Sequence, residues 1–147
     1  MVIPSNGIRV TTQEELDAAL KEKSGQRIYI DSRAGAWLYV SGSTTVYAYG
    51  DSWIVAHDSA RVIAHDSARV IARDWATVIA YDSVTVHAYD WATVIAYDST
   101  TVWAYNSVAV HAWSCSAIVS AYDKTLVYIY EHATVHAYDW AMIIRKL

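Results

Sequence analysis

The side chains able to do chemistry in this 147-residue chain recur in columns instead of gathering at one place. Asp58, Asp66, Asp74, Asp82, Asp90, Asp98, Asp123, Glu131 and Asp139 share one position of an eight-residue repeat, and no Lys or Arg lies between Asp74 and Asp123. Such carboxylates can bind calcium, imitate the phosphates of a nucleic acid, or bond backbone N–H groups in turns. Calcium solenoids surround each Asp with glycines that free carbonyls for the ion. Here the turns read Asp-Ser-Ala or Asp-Trp-Ala, which argues against calcium. Stacked carboxylates about 4.8 Å apart repel by about 1 kcal/mol even in water, so N–H partners are expected at each. Turn chemistry is therefore the first reading. The alternative is an acidic mimic, built on Asp74, Asp82, Asp90 and Asp98, that blocks a DNA- or RNA-binding protein. It rests on analogy with solenoids of five-residue repeats, and direct nucleic-acid binding is not expected.

Histidines and the lone Cys115 offer less. His57 and His65 share a repeat position, His132 and His136 stand four apart, and His87 and His111 three repeats apart. Zinc needs three or four converging ligands, and no such set is visible. Cys115 has no activating base beside it in sequence and reads as an inert thiol. Eight-residue repeats also leave no long loops to wall a cleft, so neither a catalytic set nor a cofactor site is expected. A carbohydrate-active β-helix enzyme is correspondingly disfavoured.

The outward apolar residues are more informative. Tyr81, Tyr89, Tyr97, Tyr105, Trp113, Tyr122, Tyr130 and Tyr138 take one outward position, with Ile63, Ile79 and Ile95 two residues before some of them. Stacked identical side chains stabilise a parallel ladder. Contiguous Ile, Tyr and Trp also exceed what a monomer usually exposes, and Tyr and Trp carry much of the energy of protein interfaces. Tyr81, Tyr89, Tyr97, Tyr105, Trp113, Ile63, Ile79 and Ile95 are the expected interaction surface. Thr77, Thr85, Thr93 and Thr101 form a row that an ice-binding solenoid would need. Their companions Ile79, His87, Ile95 and Trp103 are too bulky and uneven for a flat lattice match.

The elements that must position these columns follow from the repeat. From Val46 the chain reads V-x-A-x-D-S-A-T, with the valine position at Val46, Ile54, Val62, Val70, Val78, Val86, Val94, Val102, Val110 and Ile118. One extra residue enters near Trp113–Ala121, and the register resumes at Val127, Val135 and Ile143. Each octad is a strand plus a turn: Val and Ala point one way, Thr, Ile and Tyr the other. A unit so short cannot bury its own face, so copies must stack into a parallel β-solenoid with a Val/Ala interior. Segment 74–89 matches 90–105 at fourteen of sixteen positions, and Trp75, Trp91 and Trp140 then fall on one edge of a two-octad coil. Sixteen residues per coil is preferred, with a triangular coil of three octads as the alternative.

Residues 1–45 read as an N-terminal cap and 46–147 as the solenoid. The cap has a short strand at Gly7–Val10 and a helix over about 12–24. Thr12-x-x-Glu15 is its capping box, Leu16, Ala19 and Leu20 its apolar stripe, and Lys21, Lys23 and Gly25 mark its end. Irregular first coils follow at Arg27–Ile30 and Trp37–Val40. The A-T-V-x-A-Y-D-S string after a T-T-x-E-E-L-x-A-A-L helix resembles octapeptide-repeat proteins of bacteria and their phages. That resemblance implies a β-solenoid and transfers no activity or site residues.

Composition narrows the class. The chain is 54% hydrophobic with net charge -4, seven Trp, twelve Tyr and no Phe, which suits half-wet apolar surfaces. One cysteine forbids an intramolecular disulfide, the first residues lack a signal-peptide pattern, and no apolar run is long enough for a membrane helix. The expectation is a cytoplasmic, non-enzymatic interaction or assembly module, a phage-type inhibitor of a host protein being one form of it. Met142, Ile144 and Leu147 make the last octad unusually apolar. A homodimer meeting tail to tail through them is expected, with a dimer through the Ile63, Ile79 and Ile95 side as the alternative.

Overall fold

A computed structural model describes residues 5–22 and 25–146. Lys23 and Leu147, to which sequence reasoning gave roles, lie outside them. The chain runs β1 (Gly7–Val10), α1 (Gln13–Glu22), β2 (Arg27–Ile30), β3 (Trp37–Val40), β4 (Thr45–Ala48), β5 (Trp53–Ala56), β6 (Arg61–Ala64), β7 (Arg69–Ala72) and β8 (Thr77–Ala80). It continues through β9 (Thr85–Ala88), β10 (Thr93–Ala96), β11 (Thr101–Ala104), β12 (Ala109–Ala112), β13 (Ile118–Ala121), β14 (Leu126–Ile129), β15 (Thr134–Ala137) and β16 (Met142–Arg145). The molecule is a parallel β-solenoid. Alternate strands build a nine-stranded sheet, β1-β2-β4-β6-β8-β10-β12-β14-β16, and a seven-stranded sheet, β3 to β15, so two octads make one coil. Thr77 pairs with Thr93 and Ile79 with Ile95, an offset of sixteen residues; the three-octad alternative falls.

The two sheets face each other across a thin interior. Val78, Ala80, Val86 and Ala88 are fully buried, and the same Val/Ala pair recurs from β4 to β12 wherever the sequence supplies it. Val and Ala suit the gap: β-branched Val fits the pleat, and a small partner two residues on lets the facing sheet approach. Most four-residue turns are closed by the N–H of the last residue donating to the carbonyl of the first, as from Ala76 to Arg73 at 3.0 Å. The second turn residue has positive φ and the third does not, the pattern of a type II′ turn. Glycine is the usual occupant, as at Gly42 and Gly50, but Asp58, Asp66, Asp74, Asp82, Asp90, Asp98, Asn106, Asp123 and Asp139 take it elsewhere, with φ of 52–61°.

The extra residue lies in the five-residue turn 113–117. Ile118 therefore pairs with Thr101 and Val119 with Val102. This corrects the placement of Ile118 in the interior column: it faces outward and is exposed, and Val119 is buried instead. A turn absorbs the insertion because strand length is fixed by the ladder while a turn has slack.

The helix is shorter than expected at its start, beginning at Gln13. Thr12 Oγ1 accepts from the Glu15 N–H at 3.2 Å, while the Glu15 carboxylate takes the Thr11 N–H at 2.7 Å, one residue earlier than a standard capping box. Leu16 and Ala19 are buried against the first coil. β1 extends the nine-stranded sheet over β2. The exposed edge of β3 is covered differently: the Gln13 amide accepts from the Tyr39 N–H at 2.7 Å and donates to the Tyr39 carbonyl at 3.1 Å, standing in for a neighbouring strand. No described helix is long and apolar enough to cross a membrane.

Candidate functional site

The acidic columns occupy the two edges where the sheets meet. Their carboxylates do not bond their own turns, as local Asx chemistry would have it. Each Oδ2 accepts the backbone N–H of the equivalent residue one coil earlier. On one edge the chain of bonds runs from Gly42 through Asp58, Asp74, Asp90, Asn106, Asp123 and Asp139. On the other it joins Gly50, Asp66, Asp82 and Asp98, and then meets the longer turn holding Cys115. The left-handed backbone aims each N–H along the solenoid axis, and the next carboxylate stands one coil above to receive it. Asn106 does the same work with an amide oxygen at 3.0 Å. Glu131 does not adopt the left-handed conformation.

The expected interaction residues divide between two outer faces. Ile63, Ile79 and Ile95 stack on the nine-stranded sheet, flanked by the His65-Tyr81-Tyr97-Trp113 ladder. Tyr89 and Tyr105 belong to the opposite face, where rings 5.1 Å apart continue to Tyr122 and Tyr138. The Thr row divides likewise: Thr77 and Thr93 pair on one sheet, Thr85 and Thr101 on the other, so no continuous four-Thr row exists.

On the nine-stranded face, four successive coils carry no formal charge at their outward positions: Thr77, Ile79, Tyr81; Thr93, Ile95, Tyr97; Ala109, His111, Trp113; and Leu126, Tyr128, Tyr130. His111 stacks on Tyr128 at 4.8 Å, and its Nδ1 lies 3.1 Å from the Tyr130 hydroxyl. Burial, with Lys146 nearby, lowers its pKa, favouring the neutral ring. Arg61 bounds the strip at one end and Lys146, over the Tyr128 ring, at the other. The strip measures roughly 20 Å by 15 Å, about 300 Å².

On one sheet edge Trp75 and Trp91 stack at 5.5 Å while remaining 63% and 59% exposed. Trp140 takes the same turn position three coils beyond Trp91 and is 78% exposed. In the last coil Met142 and the inward-facing Ile143 are exposed, and Ile144 is half-buried. Sequence reasoning named Met142 and Ile144 and missed Ile143, whose place in the valine column was its signal.

His87 stacks on Trp103 at 4.8 Å, and burial, with Arg69 second, lowers its pKa. His57 and His65 lie on opposite faces, 3.9 Å and 3.7 Å from Asp74 and Asp82. Among the described residues no three metal-ligating side chains converge, and Cys115 is exposed in its turn. Comparison with known proteins finds no matching family model, no matching curated protein and no matching solved structure.

Proposed function

We propose that the chain is a non-catalytic protein-recognition and assembly module that docks a partner on the outer face of its nine-stranded sheet. The observation that carries this reading is the uncharged strip from Thr77 to Tyr130, with a cation at each end. At about 300 Å² it lies at the lower end of the largest patches that monomers expose, below the sequence expectation of an excess, and it is smaller than the ~800 Å² that each partner buries in a standard interface. It therefore suits the apolar centre of an interface whose rim includes acidic groups opposite Arg61 and Lys146. The octapeptide resemblance directs the search to bacterial proteins, including host targets of a phage inhibitor.

Assembly is the second part of the reading, and the last coil supports it. Met142, on the outward side of β16, is 58% exposed, and Ile144 lies beside it on the same side. A second copy meeting this coil about a two-fold axis would cover the exposed side chains of Met142 and Trp140.

Capture from bacterial lysate tests both parts. Ile79→Lys with Ile95→Lys should abolish capture while leaving the fold intact. Replacement of Asp74, Asp82, Asp90 and Asp98 by Asn should leave it unchanged. The opposite pattern would overturn face docking in favour of the acidic mimic. Light scattering should give a dimer that Met142→Glu with Ile144→Glu makes monomeric. A monomeric parent chain would end the assembly part, and a dimer sensitive only to the Ile79 and Ile95 changes would move it to the flat face.

A further inference from the structure

A cavity of about 700 Å³ opens beside the cap, lined by Arg9, Thr11, Thr12, Asp31, Ser32 and Arg33 among others. Its wall contains an anomaly. Ser32 is only 5% exposed, and its hydroxyl has no hydrogen-bond partner. The other buried hydroxyls are satisfied: Ser52 donates to the Tyr49 carbonyl and Thr100 to the Tyr97 carbonyl, both at 2.6 Å, and Thr125 to the Ala104 carbonyl at 3.3 Å. An unpaired buried hydroxyl is costly, so a native one calls for an explanation.

The charges around it point to the explanation. Arg9 is held by Asp31 at 2.6 Å, which neutralises both. The Glu15 carboxylate is engaged by the Thr11 N–H and hydroxyl. Arg33 makes no ion pair among the described residues, and a tight turn closed by Ala36 N–H on the Arg33 carbonyl, with Gly35 at φ 88°, presents it at the cavity. Thr12 Oγ1 accepts from the Glu15 N–H, and its own proton remains to be donated. The cavity thus offers one free guanidinium and the Thr12 hydroxyl, and the unspent Ser32 hydroxyl is buried in its wall; together these are the complement of an oxyanion.

We propose that this cavity binds a small oxyanion, a phosphate or carboxylate group, through the Arg33 guanidinium and the Ser32 and Thr12 hydroxyls. The anion supplies the acceptor that Ser32 lacks and the counter-charge that Arg33 lacks. The site is independent of the docking face.

Urea unfolding of the full chain in inorganic phosphate, in acetate, and in chloride of equal ionic strength tests this, alongside amide chemical-shift titration. At ten times its Kd, the better anion should lower the unfolding equilibrium constant about elevenfold relative to chloride. Shifts should centre on Thr12, Ser32 and Arg33. A larger effect of phosphate assigns the site to phosphate groups, and a larger effect of acetate to carboxylates. Arg33→Gln should weaken binding about tenfold or more. Ser32→Ala should weaken it too, while the anion-free protein stays at least as stable as the parent, since the change removes an unpaired buried hydroxyl. No anion effect beyond chloride, or full binding by both variants, would overturn the proposal.

Discussion

Replacing Asp82 separates the backbone from the charge in the acidic ladders. Its Oδ2 accepts the Asp66 N–H at 3.0 Å, and its own N–H donates to Asp98 at 3.0 Å, with φ held at 54°. Alanine removes the accepted bond, worth about 1 kcal/mol at an exposed site. It also places an unassisted Cβ in the left-handed region at a cost of about 1 kcal/mol more than Asp. Asparagine keeps both features, as Asn106 does in the other ladder. Both substitutions relieve the same repulsion from Asp66 and Asp98, about 1 kcal/mol per neighbour in water at low salt. That term cancels between them. Asp82→Ala should therefore be about 2 kcal/mol less stable than Asp82→Asn, and Asp82→Gly should fall between, having recovered the backbone term alone. Urea midpoints at constant slope measure this. Equal stability of the Ala and Asn variants would refute the cross-coil bond and the backbone strain together.

The other expectations concern the interior, the histidines and the cap. Ala80→Leu should cost about 1–3 kcal/mol in thermal or urea unfolding, because the Val/Ala gap has no room to repack; a neutral result would mean the sheets separate freely. Burial lowers the pKa of His87 and His111, so the unfolded chain takes up protons first as pH falls below about 6.5. Stability should be full above that value and decline below it, and His87→Asn with His111→Asn should flatten the decline in urea midpoints taken from pH 7.5 to 5. Gln13→Ala should strip both bonds from the Tyr39 backbone and speed hydrogen exchange at β3, with β10 and β12 unaffected; uniform protection would deny the amide its covering role.

How far the sequence reveals this molecule depends on where it repeats. The two-octad coil is legible because Trp75 and Trp91 alternate with Ser67, Ser83 and Ser99, and the rings do stack. Inward and outward sides are legible because parity along a strand is fixed. Three things were not. An Asp every eight residues fits local turn bonds as well as cross-coil ones, and only the left-handed φ distinguishes them. Ile118 reads as interior because β-branched residues occupy both sides of an inserted turn. The Gln13 clamp and the Ser32 cavity lie in the cap, where nothing repeats and long-range partners leave no pattern. The candidate surface was half legible: its eight residues point outward as the strand parity requires, but Tyr89 and Tyr105 lie on the face opposite the other six.

The alternation of sheets carries a consequence for how such a chain can change length. Octads 58–65 and 66–73 are alike at seven of eight positions, yet the strands they contribute lie in different sheets. Copying or deleting one octad would send every downstream column to the opposite side of the solenoid, exchanging the Ile79 face with the His87 face. Copying two octads leaves each side as it was, and the near-identity of 74–89 with 90–105 is of that kind. Growth by sixteen lengthens a surface, whereas growth by eight inverts it, so any partner reading one face tolerates only even steps.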